Sequence, residues 1–375
     1  MRYSIRALAA AAFGAAVFVP AAQAQDMTTY SFGGTTLYIG GGFQYLSLPD
    51  IKFTGAAKLT GADEFSNFRP LKNIDFNEYG PAAGAGIETA IGYWNGMRVT
   101  AGVKGFYTWL ENSNRTTCLT GSGAVCLAID PTGEDAFGAS GFPFITKTER
   151  DVDYWGGQVE FKFGHAKPVH AKPNFYRNDY FIVGADIRGI DQNTKLVNRV
   201  SGVGLDQPFF TYNETLDTTY YGGYIGIGGE YSFGFIPFLG SAVKGVGGIY
   251  DRFGLRTFIN LRGGLYNAET DYHGRFAAPA VPAAMFPAFS SRLSKSDDEL
   301  AFIGTVSLET RKQLGQRTSL SLWTDYEYIS SVPDMRYTNG DRPTRIEDDD
   351  AFATRTMLRL NIGLGSAQLY PAPPP

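Results

Sequence analysis

Few side chains in this chain of 375 residues could take part in covalent or metal chemistry. The sequence has three histidines and two cysteines, and none of its glycine-rich stretches follows a strand and opens a helix as phosphate-binding loops do. Cys118 and Cys126 flank a Gly121-Ser122-Gly123 turn. In an oxidising compartment this pair predicts a disulfide that closes the loop. A shared metal ion is the alternative, but no histidine lies nearby and the spacing matches no zinc pattern.

A second group of polar side chains alternates with apolar ones. In the stretch 97–109, for example, Arg98 and Lys104 differ in parity from Val99 and Val103. A period of two places successive side chains on opposite faces of a β-strand. We therefore expect one face, opposite the apolar one, to carry Glu88, Arg98, Lys104, Glu160, Lys162, Asp186, Arg188, Arg256, Arg262, Asp325, Glu327, Arg355 and Arg359.

The elements that must position these charges are about ten strands with the same alternation. The first, Thr36–Leu46, sets Leu37 and Phe43 against Tyr38. Asn95-Gly96, a two-residue signature of tight hairpins, joins the second strand to the third. Apolar residues make up 43% of the chain, and after residue 24 no segment approaches the roughly 18 uninterrupted apolar residues of a transmembrane helix. Any membrane span must therefore be built from strands.

The N-terminus has the pattern of an export signal. Arg2 and Arg6 precede an apolar run from residue 8 to 19, and Ala22-Gln23-Ala24 is the small-x-small pattern that signal peptidase cleaves. We predict cleavage near Ala24. The domain organisation that follows is a signal peptide at 1–24, a single barrel domain at 25–364 and a proline-rich periplasmic tail at 365–375.

The segments between the strands differ in length. The connections near Asn95 and Gly315 are tight, whereas long loops are expected at 47–80, 111–150, 193–215, 271–296 and 331–350. Transmembrane barrels place long loops outside the cell and short turns in the periplasm. Aromatic residues also cluster at both ends of the strands, as they do at the two interfaces of a bilayer. These features predict an all-β fold, a closed antiparallel transmembrane β-barrel of about ten strands, with eight to twelve possible.

Signal peptide, strand pattern and loop asymmetry together resemble the outer-membrane β-barrel proteins of Gram-negative bacteria. The resemblance covers most of 25–364 and rests on no diagnostic motif. It implies an outer-membrane location, contact with outer-membrane lipid and lipopolysaccharide, and folding by the barrel-assembly machinery. The net charge of −4 gives no basic footprint for nucleic acid, and no residues predict a cofactor.

The predicted interior suggests two functions. Its positive and negative charges nearly cancel, and about ten strands lie close to the size at which side chains fill a barrel. Inward glycines such as Gly40, Gly42, Gly92 and Gly102 would free some volume, so a narrow porin-like channel for small polar solutes is expected. The alternative is a non-conducting structural or surface-binding barrel. There the apolar loop 271–296 would serve as a contact site or fold over the mouth as a plug.

A minor alternative is proteolysis. The spacing in Asp271-Tyr272-His273 resembles the Asp-x-His half of the omptin proteases, ten-stranded outer-membrane barrels that activate water with an Asp/His pair opposite two aspartates. Asp151-Val152-Asp153 offers the second spacing. The parity of the flanking strands, however, sends Asp151, Asp153, Asp271 and His273 to the lipid-side face and not into the mouth.

Overall fold

The computed structural model describes residues 34–49, 54–59, 65–70, 77–118, 124–129, 136–139, 144–165, 170–172, 175–200, 208–232, 255–280, 288–315, 317–336 and 345–364. The signal peptide at 1–24 and the tail at 365–375 lie outside these residues. The side chains of Cys118 and Cys126 are likewise outside the described set. The disulfide therefore stays a prediction.

The described residues form strands almost throughout, and no helix among them is long and apolar enough to cross a membrane. The strands are β1 (Thr35–Ser47), β2 (Thr54–Leu59), β3 (Phe65–Pro70), β4 (Asn77–Trp94), β5 (Met97–Cys118), β6 (Ala124–Ile129), β7 (Ala136–Ala139), β8 (Phe144–His165), β9 (His170–Lys172), β10 (Phe175–Val200), β11 (Phe210–Ser232), β12 (Leu255–Ala278), β13 (Phe289–Gln313), β14 (Thr318–Arg336) and β15 (Arg345–Leu364).

Ten of these strands form a closed hydrogen-bonded ring. Its order is β1-β4-β5-β8-β10-β11-β12-β13-β14-β15, and β15 pairs with β1 to close it. Every neighbouring pair is antiparallel. The predicted ten-stranded antiparallel barrel is confirmed. The short strands β3-β2-β6-β7 make a separate four-stranded sheet, and β9 pairs with β10.

The strands are tilted in the ring. If cross-strand pairs are followed around the ring from Tyr45 of β1, one direction arrives at Ser294 of β13 and the other direction arrives at Val306 of the same strand. These positions are twelve residues apart, which is the shear of the barrel. A line at constant height around the barrel therefore shifts by about one residue per strand relative to the cross-strand pairs. Along that line one outer girdle contains Tyr45, Tyr79, Trp109, Trp155, Tyr221, Phe302, Tyr328 and Phe352.

The surface below this outer girdle is apolar. Phe43 is 73% exposed, and Val103, Ile225, Leu261 and Leu358 are also exposed. Trp94 projects outward at the opposite end, beside the Asn95-Gly96 turn, and Tyr93 is also exposed there. Because both residues of that turn have positive φ, the tight hairpin adopts the conformation that the sequence predicts. We refer below to this end as the short-turn end and to the other as the long-loop end.

The strands extend beyond the outer girdle, so several expected loops are wrong in extent. Most of 271–296 is strand, because β12 continues to Ala278 and β13 begins at Phe289. The plug expected of 271–296 therefore cannot be that whole segment. The ladder continues where lipid contact ends, but there the pattern inverts: Tyr272 and Phe276 face the interior, whereas His273 and Arg275 face outward. This part of the strand lacks the apolar lipid-facing side chains on which the strand prediction rested, so a loop was expected there.

The strand β14 leaves the wall at its upper end. Its pairing with β13 stops at Ile303–Ile329, and a register shift follows between Ile329 and Val332. Residues 331–335 are then buried on both faces. The Tyr220 hydroxyl on β11 donates a 2.8 Å hydrogen bond across the lumen to the carbonyl of Ser331. The upper part of β14 thus fills the mouth of the barrel, which the loop 271–296 was expected to cover.

Candidate functional site

The lumen is filled by long side chains that lie against glycines of neighbouring strands. The Tyr38 ring occupies the space where Gly86 would carry a Cβ, and Tyr224 does the same at Gly184. Gly40 lies under Arg359, and at Gly42 the backbone of Thr356 approaches. The expectation that Gly40 and Gly42 free volume is therefore wrong, because the missing Cβ atoms allow close approach. Of the four glycines expected to face inward, Gly92 beside the short turn has open space in place of a Cβ, whereas a Cβ at Gly102 would be in van der Waals contact with Glu160.

The first charge cluster of the lumen is centred on Glu160 of β8. Its carboxylate lies 2.9 Å from Lys104 Nζ, 3.4 Å from Lys162 Nζ and 3.8 Å from a nitrogen of Arg262. Lys162 also pairs with Glu88. One buried carboxylate thus attracts three cations, and this attraction offsets much of the free-energy cost of desolvating them.

The second cluster is centred on Arg188 of β10. The guanidinium donates hydrogen bonds of 2.9 and 2.7 Å to Asp186 and another to Glu327 on β14. The Tyr154 hydroxyl also donates to Glu327. All four side chains are buried, so this bridge spans the interior of the barrel between opposite parts of the wall.

A third cluster stacks arginines on aromatic rings. Arg359 lies 3.4 Å from the ring centre of Trp323, and Arg355 lies 3.5 Å from that of Phe106. Arg355 also donates a 3.1 Å hydrogen bond to Asp325. Cation–π contacts let weakly hydrated guanidinium groups pack in a space that excludes water. This layer is therefore close-packed although it is charged.

The remaining lumen charges lie toward the short-turn end. Arg256 is buried there, and Arg98 lines a cavity of about 180 Å³ that it shares with Glu88, Lys162 and His165. This cavity reaches the short-turn end and stops at Lys104, Trp323 and Arg359, which also line a smaller space of about 20 Å³. The structure therefore places the predicted charges inside the barrel. Six of them line this cavity, which we call the blind vestibule: Glu88, Arg98, Lys104, Glu160, Lys162 and Arg359.

Sequence reasoning missed two contributors to the site. Arg311 was not predicted as a lumen charge; it forms a 2.9 Å ion pair with Glu309 on β13, whose place on the polar face the alternation predicts. Tyr154 was also missed, because a tyrosine at a polar position of a strand signals a lumen hydrogen bond only when its partner is known.

Above the charged layers the lumen contains apolar clusters among buried polar side chains such as Arg150, Gln192 and Glu214. One cluster contains Leu46, Leu110, Val152, Ile190, Tyr220 and Ile329, and a higher one contains Leu196, Phe210, Tyr212, Tyr272, Phe276 and Met335. Most of these side chains are essentially inaccessible to solvent. The apolar clusters of the upper barrel are therefore packed like the core of a soluble protein.

A carboxylate is buried at the edge of this apolar region. Glu78 of β4 lies inside the wall just above the outer girdle, 3.8 Å from Arg150. Burial is the largest cause that raises the pKa of Glu78 to about 7, and Arg150 opposes it. The side chain is therefore largely protonated below neutral pH, which lowers the cost of enclosing it.

The residues that resemble the omptin set lie on the outer wall. Asp271 and His273 are exposed, and His273 Nδ1 lies 2.9 Å from the Ser294 hydroxyl. Asp151 projects from the same outer face, three strands away from His273 along the ladder. The parity prediction is confirmed, since these side chains do not enter the mouth. Among the described residues, no group of His, Cys, Asp and Glu is arranged to hold a metal ion.

No protein-family model and no curated protein sequence matches the chain. Solved structures that it resembles include the outer membrane protease OmpT from Escherichia coli, with 8% identity, coverage of 88% of this chain and 97% of that one, and a TM-score of 0.39. The outer membrane protein OprG from Pseudomonas aeruginosa gives 9% identity, 90% and 100% coverage, and a TM-score of 0.21.

An anion-selective porin from Comamonas acidovorans gives 9% identity, 88% and 98% coverage, and a TM-score of 0.17. The structures that this chain resembles thus fall in the outer-membrane β-barrel class that its sequence resembles. They include a protease, a porin and an outer membrane protein. Their activities therefore do not select one for this chain.

Proposed function

We propose that this chain is an outer-membrane β-barrel of a Gram-negative bacterium that does not conduct solutes and acts through its long-loop end. The supporting observation is the continuous packing of the lumen, from the Glu160 cluster to Met335. A narrow channel would need a hydrated path through these layers. The blind vestibule stops at Trp323, so the packing favours the non-conducting alternative over the porin-like one.

The outer surface supports the membrane location. Exposed apolar side chains cover the wall between two groups of aromatic residues, an arrangement that is costly in water and stable in a bilayer. Above the outer girdle, Lys195, Arg275 and Arg292 project outward, where their charges would suit lipopolysaccharide phosphates. The long-loop end would then face outside, after export by the signal peptide and insertion by the barrel-assembly machinery.

Cysteine labelling in intact cells tests this location and orientation. With Cys118 and Cys126 replaced by serine, Ser290→Cys is placed at the long-loop end and Arg317→Cys at the short-turn end; both positions are exposed. A membrane-impermeant maleimide is expected to label Ser290→Cys in intact cells. It should label Arg317→Cys only after the outer membrane is permeabilised. The reverse pattern, or equal labelling of both, would contradict the proposed orientation.

A further inference from the structure

The inward bend of β14 leaves a seam in the barrel wall. Above Ile303, β13 pairs with β12 only, and in the described part of the chain no ladder joins Phe289–Phe302 to β14. Residues 296–300 are exposed on both faces of the strand, and Leu300 is 70% exposed. The seam thus presents one edge of a regular strand at the long-loop end.

The backbone along this edge shows how a partner strand would bind. The Phe302 N–H donates a 2.8 Å hydrogen bond toward β14, to the Ser330 hydroxyl. Because backbone groups alternate along a strand, the N–H groups of Leu300 and Asp298 point to the same side. The Asp298 N–H donates at 3.0 Å to the carboxylate of Asp297, so a neighbouring side chain occupies the place of a ladder partner.

The seam is strongly acidic. Asp297, Asp298 and Glu299 lie on β13, and Asp348 and Asp350 lie on β15 across the seam. A hydrogen bond between the Glu299 and Asp348 carboxyls raises the pKa of Glu299 to about 7. Carboxylates clustered in this way favour a cation beside them. A partner that fits this surface should therefore be basic.

We propose that the β13 edge at the seam binds an extended basic peptide segment, which adds as a strand to residues 296–302 and sets its lysine or arginine side chains against Asp297, Asp298 and Glu299. Main-chain hydrogen bonds would supply the affinity and the carboxylates the preference for basic sequences. The inference rests on the proposed function only in that the long-loop end must face outside. Acidic residues can also protect an edge from pairing, so the experiment must separate recognition from protection.

The test uses the purified full-length barrel in detergent micelles and a fluorescent peptide of alternating lysine pairs and threonine pairs, which places lysines on both faces of an added strand. A peptide with glutamate pairs in place of the lysine pairs is the control probe. We expect saturable binding of the basic peptide only. It should slow amide hydrogen exchange at Ser296, Asp298 and Leu300, whose N–H groups face the seam, and not at 297, 299 and 301, whose N–H groups face β12. Asp298→Asn keeps the edge N–H and should weaken binding by about tenfold or less, because it removes one charge at a solvent-exposed site. Asp298→Pro removes the N–H and should abolish binding.

Glu269→Gln is the matched charge control, since Glu269 faces Asp298 across the ladder but lies on β12, away from the seam. It should leave binding within about twofold.

Equal losses in Glu269→Gln and Asp298→Asn, or equal binding by Asp298→Asn and Asp298→Pro, would overturn strand addition. So would slow exchange of the Ser296 and Leu300 N–H groups without peptide, which would indicate that a second copy or a segment of this chain already covers the edge. Absence of binding would mean that the acidic edge is protective. A bilayer conductance result bears on the sealed lumen alone and leaves this test independent.

Discussion

Replacing Arg188 by methionine is expected to destabilise the folded barrel by about 3–5 kcal/mol, because the change leaves two buried carboxylates without their cation. Asp186 and Glu327 both accept hydrogen bonds from Arg188, and their side chains are nearly inaccessible to solvent. The measurement is a urea titration of the protein in lipid micelles, followed by the difference in gel migration between folded and unfolded forms.

The matched control is Lys147→Met, which breaks an ion pair with Glu149 on the exposed wall. Such surface pairs contribute about 0–1 kcal/mol, so the titration curve should hardly move. Adding Glu327→Leu and Asp186→Leu to Arg188→Met should recover part of the loss, since the uncompensated charges are then gone. A loss below about 1 kcal/mol in Arg188→Met would indicate that water or ions reach these groups. That result would argue against a packed lumen.

Replacing Tyr220 by alanine is expected to cost about 3–5 kcal/mol, the range for removing a large buried ring from a close-packed core. Tyr220 is fully buried, and its hydroxyl holds the inward end of β14 through Ser331. Tyr220→Phe keeps the ring and leaves the Ser331 carbonyl without this donor, so a smaller loss of about 1–3 kcal/mol is expected. The same urea titration measures both variants.

The neighbouring residue supplies the control for this prediction. Tyr221 projects outward from the same strand and is 41% exposed, so Tyr221→Ala should cost about 1 kcal/mol or less, in line with an outward-facing site. A hydrated lumen would let water fill the space left at Tyr220. The two alanine variants would then behave alike, and the packed upper lumen would be contradicted.

The sequence predicts much of this barrel because lipid imposes a strict pattern. Between the girdles every second residue must be apolar, so the parity of Arg98, Lys104 and Glu160 follows directly from their neighbours. The same parity correctly predicted that the His273 side chain lies outside the mouth. The tight turn at Asn95-Gly96 is predictable for a different reason, since few residue pairs adopt positive φ at both positions.

Other features depend on contacts that no local pattern encodes. The partners of Arg188 are two residues and 139 residues away in the sequence, and only closure of the ring brings Glu327 to it. The inward glycines Gly40 and Gly42 predicted open space, whereas their neighbours fill it. The inward bend of β14 could not be predicted either, because Val332-Pro333 is equally consistent with the start of a loop.

The conductance of purified protein in a planar bilayer tests the sealed lumen most directly. The sample must first be shown to be folded by its different gel migration with and without boiling, and a general diffusion porin reconstituted in the same way serves as the positive control. We predict no discrete conductance steps from the folded protein across the voltage range in which the control conducts. Reproducible single-channel steps that disappear when the same sample is boiled would contradict the sealed lumen.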